Sequence, residues 1–125
     1  MRKTILTLIL SSALFLCGAI AENAYLTTSF KDFDERLEIV YLKCDDQSAD
    51  LNDLISLRTF WIKKKESLHS IIPHTEIKEI DLWVSEAVRL VDQKKYDEAM
   101  QKIEVVRQLS SQVPKTFRLK FENIF

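Results

Sequence analysis

One glycine, Gly18, serves 125 residues, and it lies in an apolar stretch near the N-terminus. From Glu22 to Phe125 there is none. The favoured two-residue β-hairpin turns need positive φ, which glycine or Asn-Gly normally supplies. A chain without glycine is therefore a poor sheet former. Leu, Glu, Lys, Ala and Gln are good helix formers. The expected fold is all-α.

The apolar spacing agrees. Leu26, Phe30, Phe33, Leu37, Val40, Tyr41 and Cys44 recur at steps of three and four, as one buried helix face does. A second set is Leu51, Leu54, Ile55, Trp61, Ile62 and Leu68, interrupted by Arg58. The third is the cleanest: Ile77, Ile80, Val84, Ala87, Val88 and Val91. The fourth is Tyr96, Ala99, Ile103 and Val106, with Leu109 and Val113 on its edge.

The breaks are polar clusters and prolines. Asp45-Asp46-Gln47-Ser48 separates the first two sets, with Ser48 placed to cap the next helix. Pro73 and Pro114 each remove a donor and disfavour helical geometry in the residue before. Gln93-Lys94-Lys95 is a weaker break, and one continuous helix there is the alternative. The expected helices are 24–44, 48–71, 76–93, 96–112 and a short 115–124, closing on a packed Phe125. Short connections make them a small antiparallel bundle of about four helices, preceded by an N-terminal signal or anchor helix.

That leader is residues 1–21. Arg2 and Lys3 are basic, Thr4 to Leu16 is largely apolar, and Ala19-Ile20-Ala21 is a signal-peptidase pattern with cleavage between Ala21 and Glu22. The stretch 4–21 also reaches the lower length of an uncleaved membrane span. Both readings export residues 22–125 as one helical domain, secreted or anchored, because the positive end stays inside. Leu16 before Cys17 argues against a lipoprotein signal.

Without Arg2 and Lys3, 16 basic residues face 19 acidic ones, which is no footprint for nucleic acid. Lys63-Lys64-Lys65 is expected as the solvated side of a helix. After cleavage Cys44 is the sole cysteine, so no internal disulfide forms. It either packs as a small apolar residue, which its place on the stripe favours, or pairs between two chains. Trp61 falls on the core stripe of its helix. Trp83 lies to one side of its own and is the better interface candidate.

The stretch from Ser70 to Asp81 holds the only two-residue pairing of histidine and acid, His74 and Glu76. With His69 they could supply three zinc ligands. However, the Pro-Cys-x-x-Cys of zinc deaminases and the His-Glu-x-x-His of zinc proteases are both missing. The stretch reads more simply as a helix junction. Pro73 ends one helix, Thr75 caps the next, and Glu76 and Glu79 suit the positive end of its dipole. No cofactor and no catalytic constellation is implied.

Trp61, then "IPHTEIKEID", then "AVRLVDQKKYDEAMQKIEVVRQLSSQVP", then "LKFENIF" resembles the bacterial family called domain of unknown function 4363. The likeness carries His74, Thr75, Glu76 and Ile77 as its central step, and Pro114, Glu122, Asn123 and Ile124 near its end. It implies a short exported or membrane-anchored helical protein with no assigned activity. Family leaders tend to look like anchors, from which the Ala19-Ile20-Ala21 site departs. A second, local likeness is to one helix of a tetratricopeptide repeat, through Tyr96, Ala99 and Pro114. It supports a helix hairpin at Lys94-Lys95.

The expected function is a non-enzymatic interaction or structural module of the bacterial cell envelope. Its partner would be another envelope or membrane protein, or a second copy, with membrane contact through residues 4–21 if they are uncleaved. The alternative is an extracytoplasmic metal-binding protein or enzyme using His74 and Glu76.

Overall fold

The computed structural model describes the backbone of residues 1–124 and the side chains of residues 1–116. The expected packing of Phe125 and the side chain of Asn123 lie outside the described residues. Among the described residues there are four helices and no strand: α1 (Arg2–Asp45), α2 (Leu51–Leu68), α3 (His74–Asp92) and α4 (Tyr96–Ile124).

The leader and the first bundle helix, expected apart, are one uninterrupted α1. Nothing between Ala19 and Tyr25 removes a donor or demands positive φ, so the helix has no cause to stop. Its two halves differ in burial. Ile5, Leu6, Leu8, Ile9, Leu14 and Phe15 are exposed, whereas Leu26, Phe30, Phe33, Leu37, Val40 and Cys44 are buried.

α1 and α3 end alike. The Ser48 N–H bonds to the Lys43 carbonyl and the Gln47 N–H to that of Cys44. At the second end the Lys95 N–H reaches Leu90 and the Lys94 N–H reaches Val91. These are paired 6→1 and 5→2 bonds, which need a left-handed residue between them, usually glycine. Here Gln47 (φ 56°) and Lys94 (φ 59°) take that conformation. The weak break at Gln93-Lys94-Lys95 is thus a real turn, made without glycine.

Ser48 does not cap α2. Its hydroxyl bonds back to the Lys43 carbonyl at 3.3 Å, closing α1. Asp50 is the N-cap of α2, and its N–H donates to Asp53 Oδ2 at 2.9 Å. Polar residues adjoin both sides of the turn, and Asp50 has the acid three positions on that completes the motif.

On α2 the buried face is Leu54, Leu57, Trp61 and Leu68. Ile55 and Ile62, expected inside, are 37% and 40% exposed, while Leu57 is 3% exposed. The stripe through Trp61 is centred one residue over, so Ile55 and Ile62 fall on its outer edge. α2 ends at Leu68, three residues short of expectation, and a tight turn carries Ile71 and Ile72 to Pro73.

Pro114 does not stop α4, and there is no separate helix 115–124. The proline removes one N–H, a local loss. Val113 beside it is buried, and flanking hydroxyls occupy nearby carbonyls: Ser111 bonds to Gln108 at 2.8 Å and Thr116 to Gln112 at 3.0 Å. Buried Ser110 and Val113 hold the helix against the core as it enters Pro114.

Successive helices are antiparallel. Tyr25 bonds to Ser67 at 2.8 Å near one end of the α1–α2 pair, and Lys43 to Asp53 at 3.0 Å near the other. Arg107 of α4 grips Asp34 of α1 through two bonds, at 2.9 and 3.2 Å. At the centre Phe33 stacks on Trp61 with centroids 5.0 Å apart. The Trp61 indole donates to Asp81 Oδ1 of α3 at 2.6 Å, and Lys65 holds the other oxygen at 2.9 Å. Trp61 is therefore a core residue, as its spacing implies, and its polar tip is satisfied.

Candidate functional site

The Ser70–Asp81 stretch is the α2–α3 turn and the first turns of α3. Pro73, not Thr75, is the N-cap, with φ −56° and ψ 139°. Proline's fixed φ and extended ψ already provide the entry geometry, and its carbonyl accepts the N–H groups of Glu76 and Ile77. The helix therefore starts before Thr75, which is exposed on its first turn. Ile77 is buried in the core.

This start has a consequence for Glu76. A glutamate three residues after the N-cap normally bonds back to the N-cap N–H. Pro73 has none. Glu76 instead leans inward, half-buried, and its Oε2 is buried without a hydrogen-bond partner among the described residues. Buried polar groups usually find partners, so this oxygen calls for a physical account.

Two hollows flank it. A larger one of about 110 Å³ lies between α3 and α4, lined by Glu76, Glu79, Ile80, Leu109, Gln112 and Val113. A smaller one of about 20 Å³ lies among Leu26, Ile72, Pro73, Glu76, Val113 and Thr116. Glu76 and Val113 belong to both. The walls are mostly apolar, and the charged lining residues described are acidic. The groove sits at the end of the bundle where the exposed half of α1 departs, since Leu26 is the first buried residue of that helix.

The other sequence candidates lie elsewhere or have partners. His69 and His74 are both exposed. Among the described residues no group of three His, Cys, Asp or Glu side chains is arranged to hold a metal ion. Trp83 is half-buried; its indole donates to Glu79 Oε2 at 3.2 Å, and Lys102 Nζ sits 4.8 Å from its ring centroid. Cys44 is buried at 1% exposure, and loss of solvation, helped by the charge of Asp53, pushes its thiol up to about 11. It packs as a small apolar residue. In the lysine run Lys63 is exposed, Lys65 pairs with Asp81, and Lys64 lies 5.7 Å from the ring centroids of both Tyr25 and Phe60.

Sequence reasoning reached Glu76 but not its surroundings. Leu26, Leu109, Gln112 and Val113 arrive from other helices, and no spacing announces that. One local signal was present: a proline three residues before the glutamate, which withdraws the usual bonding partner.

A family model described as a domain of unknown function, DUF4363, matches residues 20–124, the span of the bundle. No curated protein and no solved structure matches the chain.

Proposed function

The chain belongs to the DUF4363 family, and from that premise we propose that it is a non-enzymatic, exported helical module, held at a membrane by its N-terminal segment, that binds another envelope protein. One observation carries this reading. The apolar part of α1 has a mean hydropathy of 2.2 over its best 18 residues with none of that window buried, yet it continues without a break into the bundle. Residues 4–21 make about 27 Å of helix at 1.5 Å per residue, close to a hydrocarbon thickness of about 30 Å. Arg2 and Lys3 at the start support an orientation with the bundle outside.

Fractionation of the native host, with mass mapping of the mature N-terminus, tests this. The expected result is a membrane-bound chain that resists high salt and begins upstream of Ala21. A soluble chain beginning at Glu22 would overturn the anchor. A soluble cytoplasmic chain would overturn export altogether.

A further inference from the structure

We propose that the groove around Glu76 receives a cationic side chain, lysine or arginine, from a partner protein. This deepens the interaction role proposed above and rests on it for the existence of a partner. The groove itself stands on its own observations.

The first is the orphaned oxygen. Glu76 Oε2 is buried with no hydrogen-bond partner among the described residues, and a buried acceptor left unmade is unfavourable in free energy. The second is the cause of its freedom. Pro73 offers no N–H, so Glu76 cannot make the bond to the N-cap that an acid at this position usually makes. The third is the composition of the walls. Ile80, Leu109 and Val113 are apolar, Glu79 adds a second carboxylate, Thr75 and Gln112 are neutral polar groups, and no Lys or Arg lines the groove among the described residues. Lysine and arginine bury an aliphatic stem while presenting a charged head. That matches an apolar trough closed by a carboxylate, and a charge-assisted bond is the strong kind. A water could occupy the smaller hollow, whose volume of about 20 Å³ admits one. Its lining is mainly apolar, though, and leaves such a water short of partners.

The test titrates the full chain, in phosphatidylcholine nanodiscs with methyl labelling, with Nα-acetyl-lysine methylamide and its uncharged counterpart, Nα-acetyl-norleucine methylamide. The lysine probe should shift the Ile80, Leu109 and Val113 methyls and bind at least tenfold more tightly than the norleucine probe. Glu76→Gln should weaken lysine binding at least tenfold with an unchanged melting temperature. Pro73→Ser, which gives Glu76 an N–H to accept, should weaken it as well. Equal binding of the two probes, no methyl shifts, or full binding to Glu76→Gln would overturn the proposal. So would methyl shifts produced by ethanolamine-headgroup lipid in place of the lysine probe, which would assign the groove to the bilayer. Because the readout is direct binding, its failure is distinct from a failure of the fractionation experiment.

Discussion

α2 and α3 begin with the same spacing, an N-cap and an acid three residues later, and use it in opposite ways. At α2 the N-cap is Asp50, and Asp53 accepts its N–H at 2.9 Å and takes Lys43 at 3.0 Å. The acid is consumed by structure. At α3 the N-cap is Pro73, which has no N–H, and Glu76 keeps a buried oxygen without a partner among the described residues. A backbone hydrogen present in one and missing in the other separates a structural acid from an available one. The two helix ends, in contrast, are alike: Gln47 and Lys94 both adopt the left-handed conformation.

The largest stability effect should come from breaking the closed start. Asp53→Ala removes the bond to Asp50 and the pair with Lys43, and should cost about 1–2 kcal/mol in urea unfolding. The acid limb sharpens this. The Asp50 N–H first, then Lys43, hold the Asp53 carboxyl below its ordinary value of 3.8. A depressed folded value means the contribution is complete above 3.8 and is lost as pH falls below it. The variant should therefore lose less stability than the parent between pH 5 and pH 3. A parallel loss would mean that other carboxylates dominate the acid limb.

The matched ends come next. Glycine adopts positive φ without the steric penalty of a side chain. Gln47→Gly and Lys94→Gly should each raise stability by about 0.5–1 kcal/mol, and by similar amounts, since their bonding is the same. A gain at only one would show that the ends differ in a way their shared bonds do not reveal. Thermal melts of the two single variants decide it.

Some of this was legible in the chain and some was not. The stripes of α1, α3 and α4 were readable because every third or fourth residue is apolar and each face meets its neighbour squarely. α2 was harder: Ile55 and Ile62 are as apolar as Leu57, and only Trp61 packing against Phe33 decides which edge turns inward. Pro114 misled because its local cost is real, while the buried Val113 beside it acts through tertiary packing. The caps at Ser48 and Thr75 misled because the right residue type was present two positions from where the backbone turns. The groove around Glu76 was invisible, since three helices contribute its walls.

The smallest effect is the most discriminating for where α3 begins. Were Thr75 the cap, Thr75→Ala would cost about 1 kcal/mol, as loss of an N-cap oxygen does. With Pro73 in that position, Thr75 is an exposed residue of the first turn. Its hydroxyl then supports no backbone N–H, and alanine has the higher helix propensity. Thr75→Ala should accordingly leave stability within about 0.5 kcal/mol of the parent, on the stabilising side. Asp50→Ala, at the true cap of α2, should cost clearly more under the same conditions. If the two variants lose stability equally in urea melts, the starts are equivalent after all, and Glu76 has no special reason to face the groove.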